Sequence, residues 1–263
     1  MRLNKFLAAA IFLMVANFSH CQGIDTSNHK NIQRFASRQL VSVDYKKPFP
    51  IKSFILPGLA VAYGVTTLEN NKLKKFNSEL KEEIWLEGPQ HNTSLDNYLQ
   101  WTPAALVYGL NIAGVHGKNN LRDRTMIYLL SQVFMNATVF PMKRFTHEYR
   151  PDASNSYSFP SGHTANAFLG AEFMWQEYKD VSPWLAASGY LVAATTGYLR
   201  MYNNKHWMSD VAAGAGIGVA STKLAYWLYP KIEHAFFKKG PPKTVIMPVY
   251  QNGSFGFGVV RQF

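Results

Sequence analysis

Three short stretches of this 263-residue chain hold side chains whose types and spacing suit anion chemistry. "KRFTHEYRP" (143–151) carries Lys143 and, seven positions on, Arg150 followed by Pro151. Seven residues is nearly two helical turns, so Lys143 and the end of that run share a face. Pro151 biases Arg150 away from helical backbone and sets it where helix becomes loop. "SFPSGHTANAF" (158–168) places Ser161, Gly162 and His163 on a Pro/Gly-marked corner that opens an apolar helix. The first turn of a helix leaves backbone N–H groups free and carries partial positive charge, which makes it a seat for phosphate. "LRMYNNKHWMSD" (199–210) carries Arg200, His206 and Asp210. If helix begins near His206, the Asp210 carboxylate four residues on reaches one imidazole nitrogen.

Each fragment alone has a structural reading. Ser161 or Thr164 is a plausible helix cap. Lys and Arg near a helix end complement its dipole. A His/Asp pair is more often structural than catalytic. Together they form a full set for phosphoryl transfer, because all fall where charge-poor stretches end. A phosphoryl group in transition spreads negative charge over its equatorial oxygens, so catalysis is mostly positioning and electrostatic stabilisation. Arg150 and Arg200 offer planar paired donors and Lys143 a point charge. Ser161 and the Gly162 N–H add neutral donors. A neutral imidazole held in one tautomer by Asp210 suits an in-line nucleophile, and a second His suits the acid that protonates the leaving alcohol.

The elements that must position these groups are helical. Six stretches, roughly 54–67, 104–117, 125–142, 163–171, 181–199 and 211–222, carry few or no charged side chains. Each is long enough for a helix, and most are shorter than the ~20 residues a bilayer span needs. Mean hydropathy is −0.14, low for a fully polytopic protein. Between the first two, Leu73, Phe76, Leu80 and Ile84 recur at helical spacing, which predicts an amphipathic helix ending near Gly88. "SLDNYLQW" reopens helix near Asp96. Gly214 and Gly218, four apart, predict a face that lets two helices approach closely. After Pro230 the pattern changes to a "KKGPPK" linker and two alternating segments around "QNG", which predict a β-hairpin.

The N-terminus, with Arg2 and Lys5 before an apolar run to Phe18 and small residues near Cys21, reads as an export signal. The expected organisation is a signal over 1–21, a polar arm over 22–50, a helical domain over 51–230, and a linker with hairpin tail over 231–263. A net charge of +11 favours phosphate-bearing partners. Nucleic acid is the weaker choice, since the chain has no long basic block, no zinc-ligand spacing and no RNP-like motif.

The three motifs resemble the signature of the type-2 phosphatidic acid phosphatase and vanadium haloperoxidase superfamily. That signature is Lys, six residues, Arg-Pro; then Pro-Ser-Gly-His; then Ser-Arg, five residues, His, three residues, Asp. It is matched here by Lys143…Arg150-Pro151, Pro160-Ser161-Gly162-His163 and Leu199-Arg200…His206…Asp210, with Leu199 where the family usually has Ser. The resemblance covers roughly 95–225. It implies an all-α, six-helix bundle of the phosphatidic acid phosphatase/haloperoxidase type, with the short hairpin appended. It implies His206 as nucleophile through a phosphohistidine, Asp210 as its orienting partner and His163 as general acid. Lys143, Arg150, Ser161, Gly162 and Arg200 would hold the phosphate, with no metal and no cofactor. The expected substrate is a phosphate ester or diphosphate of a lipid, at a membrane of the cell envelope, with the site facing the periplasm. A soluble periplasmic acid phosphatase of broad specificity is the alternative, and a vanadate-dependent haloperoxidase a third reading. Neither the leaving group nor the oligomeric state is legible. His147, Glu148, Tyr149, Tyr198, Tyr202 and Trp207 stand near the motifs, and packing is the expected duty of each.

Overall fold

The computed structural model describes residues 48–86 and 93–236, and the backbone of two strands, 244–251 and 254–261. By internal contacts the chain separates into Met1–Val43 and Asp44–Phe263, and every described element belongs to the second unit. The predicted signal, nearly all of the predicted arm and the "KKGPPK" linker lie outside the described residues.

Eight α-helices are present among the described residues: α1 (Ile55–Thr67), α2 (Asn71–Lys81), α3 (Leu95–Leu99), α4 (Thr102–Ile112), α5 (Leu121–Thr146), α6 (Gly162–Tyr178), α7 (Pro183–Tyr202) and α8 (Met208–Phe236). The resemblance implies six. The cores of the six charge-poor stretches fall in α1 and α4–α8; the amphipathic α2 and the short α3 make up the difference. The stretch 104–117 is helical only to Ile112, because Gly114 turns the chain with a φ of +89°. The amphipathic helix ends at Lys81 and continues as a wider turn over Glu82–Leu86. Pro230 does not end α8, which runs on to Phe236 and so past the predicted domain boundary. A proline inside a helix removes one backbone donor and strains the preceding turn, and the flanking turns of a long helix can carry that loss.

Local chemistry sets the helix starts that matter. Asn120 accepts from the Asp123 N–H to open α5, Ser161 from the Thr164 N–H to open α6, and Ser182 from the Leu185 N–H to open α7, with Pro183 in its first turn. α6 is the central helix, with most of its length buried, including Ala165, Leu169, Phe173 and Met174. α8 lies directly on it. A Cβ on Gly214 would stand 2.5 Å from the Ser161 carbonyl oxygen, and one on Gly218 would collide with the Ala165 carbonyl. These two glycines therefore let the start of α8 press against the first turns of α6, which brings the second and third motifs together.

At the far end of α6, Glu177 is buried against Arg124 from the start of α5, with Nε to Oε2 at 3.2 Å, and also accepts from the Tyr226 hydroxyl and from Asn119. This satisfied network pins α5, α6 and α8 at the end opposite the motifs. Beyond α8, β1 (Thr244–Gln251) and β2 (Ser254–Arg261) pair antiparallel, from Thr244 opposite Arg261 to Gln251 opposite Ser254.

Candidate active site

His206 sits between α7 and α8 and is fully enclosed. Its Nδ1 lies 3.3 Å from Asp210 Oδ2, on the first turn of α8. The same oxygen accepts from the Ser158 hydroxyl and from the Trp207 N–H at 2.9 Å. Ser158 Oγ is also 3.4 Å from His206 Nδ1. Nδ1 is thus the committed nitrogen, and Nε2 is the one free for chemistry. Burial, together with Lys143, Arg200, Arg150 and His163, holds His206 well below the usual imidazole range, so the ring is neutral at pH 7. Burial also pushes Asp210 up to about 6, opposed by Ser158, the Trp207 N–H and the cations Lys143 and Arg150.

The first motif reaches the same place from the end of α5. Lys143 lies in the last turn, and its Nζ donates to the carbonyls of Tyr157 at 2.8 Å and Ser158 at 3.3 Å. α5 then ends at His147, which takes a left-handed φ of 48° and is exposed. The loop beyond it is braced from several sides. Lys81 Nζ donates to the Pro151 carbonyl at 2.8 Å, Lys205 pairs with Asp152 at 2.6 Å, and the Trp207 indole donates to the Tyr149 carbonyl at 2.9 Å. Arg150 is held within that frame, its own N–H donating to the Asn155 carbonyl at 3.0 Å. Lys143, Arg150, Arg200 and His163 all act electrostatically on His206. The two imidazoles and three cations, spread over residues 143–206, therefore share one region.

Two details mark this region as a place for an anion. Arg150 Nε and Arg200 Nε are buried and find no acceptor among the described residues. Buried donors without acceptors are rare in folded proteins, and two cationic ones side by side fit a site whose acceptor is a ligand. The second detail is Lys143. Burial, with Arg150 and Arg200 close by, brings it down to about 8 against the pull of Asp210. Cations crowded without enough negative charge shed protons easily, and a bound anion would reverse that.

Ser161 and Gly162 open α6 beside this cluster. Ser161 is buried, and its hydroxyl is engaged with Thr164 Oγ1 at 2.9 Å, while its N–H donates to the Asp210 carbonyl at 3.0 Å. Its hydroxyl caps the helix start as an acceptor, which leaves its hydrogen available when Thr164 is the donor, and its backbone ties the Pro-Ser-Gly-His corner to α8. His163, in the first turn of α6, is half-buried, and burial with Arg200, Arg150 and Lys143 brings it down to about 4, against Asp96.

Sequence reasoning missed three residues here. Ser158 lies in the quoted second motif, but no spacing linked its hydroxyl to Asp210. Asp96, buried in α3, forms a close ion pair with Arg200. Asn97 places Oδ1 2.9 Å from His163 Nε2. Both come from a five-residue helix far from the motifs in sequence, where nothing local announces the contact. Leu199, in the position where the signature has Ser, is half-buried next to Arg200. Glu148 is half-buried and close enough for Asp210 to raise its pKa, after the larger effect of burial.

Residues 124–233 match the PAP2 superfamily. The PAP2 segment contains every cation, imidazole and carboxylate singled out from the three motifs, whereas Asp96 and Asn97 precede it. A lipid A 1-phosphatase of Porphyromonas gingivalis is 36% identical over 138 residues, which are 52% of this chain and 31% of that protein. The bacitracin transport permease protein BcrC of Bacillus licheniformis is 35% identical over 75 residues, 28% of this chain and 35% of that one. The chain thus spans about a third of the length of these relatives. Among solved structures, Aquifex aeolicus LpxE aligns with a TM-score of 0.46 at 22% identity, covering 57% of this chain and 94% of that one.

Proposed function

We propose that the protein is a phosphatase that removes a phosphoryl group from a lipid phosphate through a covalent phosphohistidine. The observation that carries this reading is the pair of buried, unpartnered Arg150 and Arg200 Nε groups beside a neutral His206 whose Nδ1 is already committed. In the first step the His206 Nε2 lone pair attacks phosphorus. The N–P bond forms as the bond to the ester oxygen breaks, and His163, which takes up a proton once the anionic ester offsets the cations around it, gives that proton to the ester oxygen. In the second step water attacks phosphorus, His163 takes a proton from it, and the N–P bond breaks to release phosphate. Asp210 balances the charge that His206 gains in between. Lys143, Arg150, Arg200 and the N–H groups at the start of α6 neutralise the equatorial oxygens, a role a metal ion fills elsewhere.

Two further observations support a lipid substrate and a membrane setting. Large apolar side chains stand exposed along several helices, among them Leu56 and Leu59 of α1, Leu129 and Val133 of α5, and Leu191 of α7. So many on one small molecule favour contact with lipid or protein over water. The relative from Porphyromonas gingivalis is named for a lipid phosphate. No single helix among the described residues is long and apolar enough to cross a membrane; one bent pair, Ile51–Thr67 with Asn71–Trp85, passes by length and composition. We place the protein in the cell envelope on these grounds.

The test is a phosphate-release panel on the purified chain, with lipid monophosphates, lipid diphosphates and soluble monoesters side by side, with and without EDTA. Turnover that favours a lipid phosphate and is indifferent to EDTA is expected. Equal turnover of soluble esters would return the broad-specificity reading, and loss of activity in EDTA would reveal a metal.

The Lys143 ammonium supplies a pH prediction. With its pKa at about 8, Lys143 loses its charge as pH rises through 8, while inorganic phosphate stays a dianion. The inhibition constant of phosphate is expected to rise between pH 8 and 9.5. Lys143→Arg, charged throughout, is expected to flatten that rise. An identical rise in the variant would assign the effect to another group.

A further inference from the structure

His206 and His163 are held in mirror fashion. His206 has Nδ1 occupied by Asp210, which leaves Nε2. His163 has Nε2 occupied by Asn97 Oδ1 at 2.9 Å, which leaves Nδ1. An amide oxygen only accepts, so the partner nitrogen of His163 is the one that keeps its hydrogen in both protonation states. The proton that comes and goes is then on Nδ1. Resting on the phosphatase reading above, we infer that Asn97 is the positioning residue of the acid step: it fixes His163 so that Nδ1 delivers the proton to the leaving oxygen.

The setting of Asn97 favours this. Its side chain is exposed, yet its backbone is anchored on both sides. Asn203 grips Thr93 twice, at 3.1 Å from the Thr93 N–H to Oδ1 and at 2.8 Å from Nδ2 to the Thr93 carbonyl. Asp96 next to it is locked to Arg200. On the other side the Gln100 carbonyl accepts from Asn166 Nδ2 of α6 at 3.3 Å. α3 thus ties the acid on α6 to the phosphate-binding Arg200 on α7, so the distance from proton donor to phosphate is set by a short rigid piece.

The choice of an amide also has a reason. The charged and titratable groups facing His163 are Arg200, Asp96, Arg150, Lys143 and His206. The cations outnumber the carboxylate, so the imidazolium holds its proton loosely, which suits a donor that must give it up to an alkoxide. A carboxylate in the place of the amide would hold that proton more tightly. The contrast with Asp210 is then explained, because the nucleophile has to gain positive charge and be stabilised once it does.

The experiment compares wild type, Asn97→Ala, Asn97→Asp and His163→Ala on p-nitrophenyl phosphate, whose leaving group needs little protonation, and on hexyl phosphate, whose leaving group needs it fully. The quantity measured is the single-turnover rate of alcohol release. Asn97→Ala is expected to slow hexyl phosphate by ~10- to 100-fold, a part of the factor general acid catalysis supplies, and p-nitrophenyl phosphate by less than ~3-fold. Asn97→Asp is expected to move upward, by about one pH unit, the limb of the pH–rate profile that His163→Ala removes. Equal slowing of both substrates in Asn97→Ala, or an unmoved limb in Asn97→Asp, would overturn the inference while leaving the phosphatase reading intact. A wild type that releases phosphate neither from these esters nor from a lipid monophosphate, or a His163→Ala variant as fast as wild type on hexyl phosphate, would overturn the phosphatase reading and the inference with it.

Discussion

His206→Ala is expected to lower kcat/KM for a phosphate ester by ~100,000-fold or more, the scale seen when a covalent catalyst loses its nucleophile. Three features make the expected loss this large. The ring is enclosed, so no bulk water stands in for it. It is kept neutral by burial and by the surrounding cations, so its Nε2 lone pair is available without prior deprotonation. Nδ1 is tied to Asp210, which fixes the tautomer. The cations stay in place in the variant, so inorganic phosphate should still bind. Phosphate release measured beside a binding assay for inorganic phosphate checks this. Near-normal turnover in a folded variant would remove His206 from the reaction.

The second large effect is expected from Asp210→Asn, a loss of ~1,000- to 10,000-fold in kcat, as when the carboxylate partner of a catalytic imidazole becomes an amide. Asp210 Oδ2 is the meeting point of the Ser158 hydroxyl, the Trp207 N–H and His206 Nδ1. All three present hydrogen to it, so an amide nitrogen turned that way would repel them. An amide oxygen turned that way would keep the geometry and lose the charge that steadies a phosphorylated imidazolium. Phosphate affinity should hold or tighten, because the variant removes a negative charge from beside Lys143 and Arg150. A loss confined to KM, with kcat unchanged, would contradict the role given to Asp210.

Chain and structure agree unevenly, and the pattern is informative. Lys143, Arg150, His163, Arg200, His206 and Asp210 announce themselves because their spacing is fixed by local helix geometry and by Pro and Gly corners. The helices that carry them are legible from the same charge-poor runs. Gly214 and Gly218 show as a close-packing face, but which helix they meet is set by tertiary contact with α6 and is invisible in a single sequence. Ser161 reads both as a helix cap and as a phosphate donor; its hydroxyl does meet Thr164 at the helix start, and a hydroxyl that accepts there keeps its own hydrogen for a ligand, so spacing alone does not separate the two duties. The boundary after Pro230 follows a change of residue pattern, and α8 passes through it all the same, because a long helix can carry the one donor a proline removes. Asp96 and Asn97 stay hidden because their partners are 104 and 66 residues away along the chain. Contacts of that range leave no local period to detect.

The central claim, that phosphorus passes through Nε2 of His206, is tested most directly by rapid acid-free quenching of the enzyme with a labelled phosphate ester, followed by location of the label on the protein. The account predicts a transient, acid-labile and base-stable phosphoryl group on His206, attached at Nε2 because Nδ1 faces Asp210, and absent from His206→Ala. Turnover without any labelled protein intermediate, or a label on Nδ1 or on another residue, would contradict it.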